Sequence, residues 1–531
     1  MLNNALVLFD MTRLLARRNA AHPTGIDRVD LAYADELRSV CKDRCLFITQ
    51  LDGALVHVEP VFAKRYIDHL LSKWRCGTAI PLAIEKEMAQ VGLMPPPKPK
   101  IAPIAKLKGE DVEYIFSLPY KERLAFVRKA DLTEYLPPAL HWFAKSPDFF
   151  RVPVLAGATA ATPLLNCAEW IGMQIGKTAK LEPVPAAAPP SALDKVLRRI
   201  LRGDRGKTIL YVNTSHHGID NIGPYLQLRT EFGAEFVFFI HDLIPIQFPE
   251  YVRPGDEAKH ANRMRTIAKL DPLVICNSLD TQQTLANHFL NEGLGAVRST
   301  VAHIGLERHF FHRRAERFRP PAGRPYFVAL GTLEIRKNHL LLLNLWRELA
   351  TGLESPPVLY LVGRRGWENQ SVFNMLDRCA ALRGHVFELP DADDNMIASL
   401  MVGARALLFP TFAEGWGMPL VEAQALGAPA ICSDLPVLRE ASQDLAQFID
   451  PLDYTSWKST ILDYMTENSE GRRQQVKRLR QFRPPTWEVH FSEALTFIDD
   501  GLSGEIDYYQ TPVRIGRLNG SNHSVGTETF N

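Results

Sequence analysis

The hydrophobic positions of this chain follow two patterns in turn, short apolar runs and longer segments with helical spacing. The apolar runs predict buried strands, at residues 5–9, 208–212, 235–240, 273–276, 300–303, 326–330, 358–362, 386–389, 406–409 and 430–432. Helical spacing predicts helices between them, at residues 26–37, 257–269, 279–291, 338–350, 370–382, 394–403 and 419–426. Strands that alternate with helices predict parallel sheets with helices on both faces.

The alternation is interrupted once and restarts once, which divides the chain. We predict two doubly wound α/β halves, residues 1–310 and 311–485, because the strand pattern begins again after the turn-forming residues 320–323. The alternation is absent from about 76–207, where proline-rich stretches favour extended spacers, so we interpret this segment as an insertion in the first half. Residues 506–531 are polar and aperiodic, which predicts a mobile tail.

The end of this insertion predicts a basic amphipathic helix. Apolar residues recur with helical spacing within 193–201, and the opposite face carries Lys195, Arg198, Arg199 and Arg202. Two interpretations stay open: the helix docks on the domain with a solvated basic face, or residues 193–207 contact an anionic membrane surface. The second predicts weaker liposome binding when Arg198, Arg199 and Arg202 lose their charge.

The composition excludes several classes of protein. The 531 residues include 46% hydrophobic and 23% charged residues, which is typical of a globular chain with more than one domain. Lys and Arg number 61 against 60 Asp and Glu, so no overall basic field indicates a nucleic-acid partner. The seven cysteines form no CxxC pair, and the N-terminus has no basic segment before a long apolar run. We therefore expect a reduced, cytoplasmic location and no signal peptide.

The sequence motifs for nucleotides and metals are incomplete. Residues 172–178 are one residue short of a phosphate-binding P-loop. Residues 415–420 have leucine where a GxGxxG dinucleotide motif needs its third glycine. The acidic residues 391–394 precede a predicted helix, so an N-cap is favoured over a metal site. For His216 and His217, a pair of loop residues is favoured over a zinc site. We expect no cofactor and no bound metal.

The strongest local pattern lies in residues 409–429, where a strand, a glycine-rich turn and a helix follow each other. The turn carries Glu414, and Pro419 stands where a helix begins. Glu422 then lies about one turn inside that helix, so we expect both carboxylates at its N-terminal mouth. The backbone N–H groups of 417–420 would be free there and would form an anion site. Such a mouth suits a ligand with sugar hydroxyls at one end and a phosphate at the other.

A second pattern follows the strand at 326–330, at the carboxyl end where doubly wound sheets bind their ligands. Gly331 begins a loop that places Arg336 and Lys337 side by side. These cations can stabilise a developing diphosphate charge without a metal, Arg336 with its planar guanidinium and Lys337 as a point charge. Alone, the pair would indicate a solvated loop, but its place in the same sheet as the helix mouth favours a functional role.

Together these residues resemble glycosyltransferase family 4, whose members are retaining enzymes with the two-domain GT-B fold. Glu414 and Glu422 match the E-x7-E motif of the family, and Gly331, Lys337 and Asn338 match its donor-phosphate loop.

The resemblance extends to the first half, with one departure in the second. Residues 24–26, 241–245 and 277–278 are similar to the acceptor half of the family, whereas 76–207 has no counterpart there. Many members have arginine directly after the loop glycine, where this chain has Thr332. That departure resembles the mannosyltransferase and rhamnosyltransferase branch of surface-polysaccharide synthesis.

The resemblance implies a role for each part of the site. Residues 1–310 would bind the acceptor and 311–485 the donor, and a helix at 486–505 would cross back to the first half. Glu422 would bind the nucleotide ribose and Glu414 the hydroxyls of the transferred sugar, while Arg336 would take over the phosphate contact. The residues expected in catalysis are Glu414, His241, Arg336 and Lys337. The residues expected to bind the donor are Glu422, Gly331, Gly415, Gly417, Met418, Pro419, Leu420 and Gly25.

The implied function is that of a cytoplasmic, metal-independent hexosyltransferase. It would move mannose from GDP-mannose, a nucleotide-sugar donor, to a glycan or a polyprenyl-diphosphate-linked acceptor. A UDP- or dTDP-sugar, including dTDP-rhamnose, stays open as the donor because no sequence pattern identifies which nucleotide base is bound. A nucleotide-sugar epimerase also stays open, and transfer of sugar to an added acceptor would exclude it. A non-catalytic GT-B scaffold is the third alternative, against which the intact Glu414, Glu422, Arg336 and Lys337 argue.

Overall fold

The computed structural model describes residues 2, 5–20, 22–76, 193–203, 207–311, 317–320 and 323–506. The predicted insertion at 76–207 lies outside the described residues except at its two ends, and the predicted tail lies outside them from residue 507 onward.

The strands of the N-terminal half pair into one sheet, and most strands that have neighbours on both sides are buried apolar runs. They are β1 (Ala5–Asp10), β2 (Cys45–Leu51), β3 (Ala54–His57), β4 (Thr208–Asn213), β5 (Glu235–Ile240), β6 (Leu273–Cys276) and β7 (Arg298–Val301). The strand order is β3-β2-β1-β4-β5-β6-β7. The β2–β3 pair is antiparallel, and the other pairs of this sheet are parallel.

The C-terminal half repeats the design with a second sheet. Its strands are β8 (Tyr326–Leu330), β9 (Val358–Val362), β10 (Val386–Leu389), β11 (Leu407–Phe409), β12 (Ala430–Ser433) and β13 (Gln447–Ile449). They lie in the order β10-β9-β8-β11-β12-β13, and their described pairings are parallel.

Both sheets reverse their strand order at one place, between β1 and β4 and between β8 and β11. Loops that leave the carboxyl ends of such strands open a crevice where α/β proteins bind ligands. The predicted fold class, two doubly wound α/β halves of the GT-B type, is confirmed by these two sheets.

Helices cover the sheets, and side-chain caps set the start of several of them. Thr24, Ser278, Asp393 and Thr486 each accept a backbone N–H from the first turn of the helix that follows. The helices of the N-terminal half are α1 (Thr12–Ala16), α2 (Gly25–Cys41), α3 (Pro60–Cys76), α4 (Leu193–Gly203), α5 (Gly223–Phe232), α6 (Ile244–Gln247), α7 (Asp256–Lys269) and α8 (Leu279–Asn291). Those that follow are α9 (His339–Gly352), α10 (Gln370–Arg378), α11 (Asp394–Gly403), α12 (Met418–Ala425), α13 (Pro436–Ser442), α14 (Tyr454–Met465), α15 (Glu470–Arg478) and α16 (Trp487–Ser503).

Two predicted elements differ from the structure. The strand predicted at 300–303 is β7, which begins at Arg298 because its backbone pairs with β6 and not because its side chains are apolar. The helix predicted at 370–382 ends at Arg378, where Cys379 takes an extended backbone before a short 3₁₀ turn. Strands β2, β3 and β13 were not predicted, and neither were helices α1, α3, α5, α6, α13, α14 and α15.

The basic helix α4 docks on the N-terminal half. Leu193 and Leu197 are buried in the core of that half, and the other apolar residues of the helix pack against it. Arg198 pairs with Glu231 on α5 and lies over the ring of Phe232. The docked interpretation therefore explains the apolar face, and the basic residues left exposed are Lys195, Arg198, Arg199 and Arg202.

The last described helix, α16, lies against the N-terminal half. His490 contacts the hydroxyl of Tyr33 on α2 at 2.9 Å through Nε2, and its Nδ1 lies 2.9 Å from the carbonyl oxygen of His303. Among the helices in the described ranges, none is long and apolar enough to cross a bilayer.

Candidate active site

Arg336 and Lys337 converge on Glu414 from a neighbouring loop. Lys337 Nζ lies 2.5 Å from Oε1 of Glu414, and Arg336 NH1 lies 3.0 Å from the same oxygen. Arg336 also donates to the carbonyl oxygen of Ala413 at 2.6 Å and pairs with Glu334 at 2.7 Å. The Glu414 side chain is only 8% exposed, so this is a buried cluster and not a solvated loop.

Local backbone geometry brings these groups together. Arg336 and Lys337 lie in a short 3₁₀ turn after β8, and the amide of Phe412 donates to the carbonyl oxygen of Arg336 at 2.8 Å. Gly331 has φ +144°, and a Cβ there would lie 3.3 Å from Cε of Lys337. Glycine therefore permits the backbone turn and leaves space for the lysine stem.

Burial and the neighbouring charges together determine the pKa values of the groups in this cluster. Burial opposes ionisation of Glu414, but Arg336 and then Lys337 outweigh it and lower the pKa of the carboxyl group. The pKa of Lys337 is lowered by burial, reinforced by neighbouring Arg336, in spite of its contact with Glu414. The cluster holds two cations beside one ionised carboxylate, with Glu334 next to Arg336. An anionic ligand that reaches the two cations would replace Glu414 as their partner.

The predicted anion site at the start of the helix is present, but it has fewer free backbone amides than expected. Helix α12 follows Gly417, whose φ of +98° turns the chain into the helix. The amide of Leu420 is not free, because it donates to the carbonyl oxygen of Gly417 at 2.9 Å, and Pro419 carries no N–H. The prediction of a free Leu420 amide is therefore wrong. Within the described chain, the amides of Gly417 and Met418 meet no protein acceptor, so the anion site is reduced to these two.

Glu422 lies on the second turn of α12, where its side chain is surrounded by protein. The residue is 6% exposed and accepts no hydrogen bond from the described part of the chain. Burial raises the pKa of its carboxyl group to about 8, against the opposing effect of Arg28. An unpaired buried carboxyl group is costly, so it is available for a ligand hydroxyl.

Arg28, in the N-terminal half, acts on Glu422 through its charge and forms an ion pair with another acid, Asp394. Its NH2 group lies 2.8 Å and 2.9 Å from the two carboxylate oxygens of Asp394, at the start of α11 in the C-terminal half. His309 lies 3.1 Å from the same carboxylate. The nearby His309 and the charge of Arg28 outweigh burial and lower the pKa of Asp394 to about 2.

The acidic segment 391–394 thus has two uses. The Asp393 side chain accepts the amide of Met396 at 2.8 Å, which confirms the predicted N-cap. Its neighbour Asp394 instead binds across the two halves, which was not predicted. No feature of the sequence distinguishes Arg28 from any other arginine on a helix, so this pair could not be found from the pattern alone.

His241 lies in the N-terminal half at the end of β5, where it is buried. Its Nε2 lies 2.7 Å from the carbonyl oxygen of Thr214, an acceptor, so Nε2 carries the hydrogen. Burial lowers the pKa of the imidazole to about 4, so the ring is neutral at physiological pH. His216 and His260 lie beside it in a chain of ring contacts, but no group of side chains in the described residues has the arrangement of a metal site.

The two halves meet closely at two predicted glycines. A Cβ added to Gly415 would lie 2.2 Å from the carbonyl oxygen of His241, so no larger residue fits without moving the halves apart. A Cβ on Gly25, at the start of α2, would lie 3.9 Å from Cγ of Met418, at the start of α12. The structure therefore brings predicted residues of the two halves together, with Gly415 against His241 and Gly25 near Met418, while Arg336 and Lys337 contact Glu414 within the C-terminal half.

Similar proteins were found by sequence and by structure. Residues 312–482 match the family described as glycosyl transferases group 1. The chain is 28% identical over 270 residues to the serotype-specific mannosyltransferase WbdA of Escherichia coli, covering 46% of this chain and 32% of that protein. It is 30% identical over 163 residues to the O-antigen chain mannosyltransferase B of Escherichia coli, covering 31% of this chain and 42% of that protein. A UDP-forming α,α-trehalose-phosphate synthase from Burkholderia xenovorans has a TM-score of 0.43 and 12% identity, over 59% of this chain and 75% of that chain.

These matches are partial. The chain spans about a third of the length of the first of these relatives. The family match, however, contains the loop after β8, the turn after β11 and helix α12, with Arg336, Lys337, Glu414 and Glu422. Residues 312–482, which carry these four residues, are therefore similar to the glycosyl transferases group 1 family.

Proposed function

We propose that this protein is a retaining glycosyltransferase that moves mannose from GDP-mannose to a glycan or a polyprenyl-diphosphate-linked acceptor in surface-polysaccharide synthesis. The observation that carries the proposal is the cluster of Arg336, Lys337 and Glu414 beside the mouth of α12, within the group 1 domain. The names of the similar mannosyltransferases support mannose as the sugar.

In this proposal the donor lies between the halves with its diphosphate at the two cations. Arg336 and Lys337 release Glu414 and bind the phosphate oxygens, aided by the amides of Gly417 and Met418. Glu414 is then free to accept hydrogen bonds from the hydroxyls of the sugar. Glu422 accepts the ribose hydroxyls, for which its carboxyl group has no competing partner in the described chain.

The reaction proceeds without a protein base. The bond between the anomeric carbon and the diphosphate oxygen breaks, and the acceptor oxygen bonds to that carbon on the same face. The acceptor proton passes to the departing phosphate oxygen, so atoms and charges balance. Arg336 and Lys337 stabilise the charge of the leaving group in place of a metal, and no cofactor is required. Neutral His241 lines the opposite wall and offers Nδ1 to a sugar hydroxyl.

We further propose that the enzyme works at the cytoplasmic face of a membrane, where a polyprenyl-linked acceptor would be anchored. The support is the exposed basic side of α4, whose apolar side is already docked. Contact with anionic lipid would then be electrostatic, without insertion of the helix.

The test is a calorimetric titration with GDP, UDP and dTDP, each with and without magnesium, on the wild type and on Glu422→Ala. Binding of GDP alone, without a metal requirement and lost in the variant, is the expected result. The mannosyl product from GDP-mannose and an added glycan acceptor is then examined by NMR for its anomeric configuration. Tighter binding of UDP or dTDP would overturn the assignment of GDP-mannose as the donor. Conversion of the donor without transfer would indicate an epimerase. A protein that binds no nucleotide and transfers no sugar would be a scaffold.

A further inference from the structure

A carboxylate outside the candidate active site joins the two halves. Glu440 lies on α13 of the C-terminal half, and its two oxygens lie 2.8 Å and 3.0 Å from the backbone nitrogen of Leu279. Leu279 begins α8 of the N-terminal half. The ring nitrogen Nε2 of His303 lies 2.8 Å from the same carboxylate. One side chain thus binds two separate segments of the other half.

His303 also contacts the turn that carries Glu414. The rings of His303 and Trp416 are stacked, with centroids 4.6 Å apart and an angle of 16° between their planes. Trp416 is 4% exposed and lies between Gly415 and Gly417, in the segment 414–417 that we name the Trp416 turn. Glu440 therefore fixes the ring that covers this turn.

The start of α8 also binds the Trp416 turn directly. The hydroxyl of Ser278 donates to the carbonyl oxygen of Gly415 at 3.0 Å. Ser278 is already the N-cap of α8, since its side chain accepts the amide of Thr281 at 3.1 Å. Helix α8 consequently does not need Glu440 in order to form, and the contacts of Glu440 serve to join the halves.

We infer that Glu440 is a positioning residue. It keeps α8 and His303 pressed against the Trp416 turn, so that Glu414 and the amides of Gly417 and Met418 face the N-terminal half. The effect on catalysis rests on the proposed function, whereas the effect on the Trp416 turn does not.

The structural arm of the test is hydrogen exchange by mass spectrometry on Glu440→Ala and Glu440→Gln. The control is Glu470→Gln, which removes an exposed carboxylate paired with Arg473 in the same half. In Glu440→Ala we expect exchange about tenfold faster at both 279–282 and 414–420, with a smaller change in Glu440→Gln and none in the control. Faster exchange at 279–282 alone, or equally throughout both halves, would overturn the inference. If the alanine variant does not fold, the glutamine variant decides by the same criterion.

The kinetic arm separates this inference from the proposed function. In Glu440→Ala, kcat should fall about tenfold while the Kd for the nucleotide changes less than about threefold, because Arg336, Lys337 and Glu422 still bind the nucleotide and the amides of Gly417 and Met418 only aid them. An unchanged kcat would contradict a positioning role. A wild-type protein that transfers no sugar would contradict the proposed function, and the exchange data would still decide the role of Glu440.

Discussion

Lys337 and Glu414 form a buried ion pair that joins the loop after β8 to the turn after β11, with Nζ 2.5 Å from Oε1. The two loops leave neighbouring strands on either side of the point where the strand order reverses. Each partner therefore stabilises the free protein and is also a candidate to contact the ligand. Removing one partner leaves the other charge buried, which allows structural and functional roles to be separated.

Replacing Lys337 with alanine should depress turnover more than folding. Arg336 still neutralises Glu414, so the expected loss of stability is below the 3–5 kcal/mol typical of a broken buried pair, while kcat should fall by at least about a hundredfold. Steady-state kinetics and thermal unfolding measure the two effects. The control is Lys337→Met with Glu414→Gln, which removes both charges. That pair should restore stability, which would show that the unpaired charge is the structural cost of the single change. A loss in Lys337→Ala that is confined to stability would make the lysine structural.

Nucleotide affinity should rise with pH up to about 8, the value to which burial raises the pKa of Glu422. Below that pH the free protein holds a protonated carboxyl group, and the ionised form is the one that accepts two ribose hydroxyls. Binding then releases a proton, and affinity gains up to about tenfold per pH unit before it levels off. Titration calorimetry from pH 6 to 9 in two buffers of different ionisation enthalpy measures both effects. Glu422→Gln should bind weakly and without this pH dependence; a wild-type affinity that is flat with pH would refute the ribose role.

Replacing Gly415 with alanine should force the halves apart, because the added Cβ would lie 2.2 Å from the carbonyl oxygen of His241. Backbone atoms cannot yield as a flexible side chain can, so we expect kcat to fall at least about tenfold, with a smaller change in nucleotide affinity. Small-angle scattering should show a larger radius of gyration. Gly352→Ala is the matched control, since a Cβ at that position meets nothing within 4 Å. Equal activity of the two variants would show that the contact is unimportant.

The Arg28–Asp394 pair should couple the two halves energetically. A double-mutant cycle of Arg28→Met and Asp394→Asn should give a coupling energy of about 1–3 kcal/mol in thermal unfolding, because both side chains are largely buried. The pKa of Asp394 is lowered, so its contribution to stability is present above its unfolded value and is lost as the pH falls toward about 2. The surface pair of Arg473 and Glu470 provides a reference cycle, for which a value near zero is expected. Additive effects at Arg28 and Asp394 would contradict the coupling.

Removing the exposed charges of α4 should weaken binding to anionic liposomes. We expect the triple change of Lys195, Arg199 and Arg202 to glutamine to reduce co-sedimentation by about tenfold or more, at roughly 1 kcal/mol for each charge. Arg198 is kept because it pairs with Glu231 and covers Phe232. The control replaces Arg473, Lys477 and Arg478 on α15, which are also exposed. An equal loss of co-sedimentation in both triple variants would mean that only net charge matters. No loss in either would contradict the proposed membrane contact.

The sequence alone determined the two α/β halves and the local geometry of the site. Apolar runs and helical spacing reflect burial within a single element, so most strands were found to within one or two residues. The turn at Glu414, the helix that carries Glu422 and the loop of Arg336 and Lys337 are likewise local, since they depend on glycine, proline and capping residues next to each other. Strands β3 and β13 were missed because exposed or half-buried residues break their apolar runs. Strand β2 was also missed, although its first five residues are buried.

Only the tertiary structure decided how these parts meet. The pairs Arg28–Asp394 and Leu279–Glu440 join residues that are 366 and 161 positions apart, and no periodicity along the chain encodes them. The Leu420 amide was predicted free, but the left-handed backbone of Gly417 turns that glycine's carbonyl oxygen toward it. The charge state of Glu422 also depends on its burial in the folded chain, which a local sequence pattern does not give.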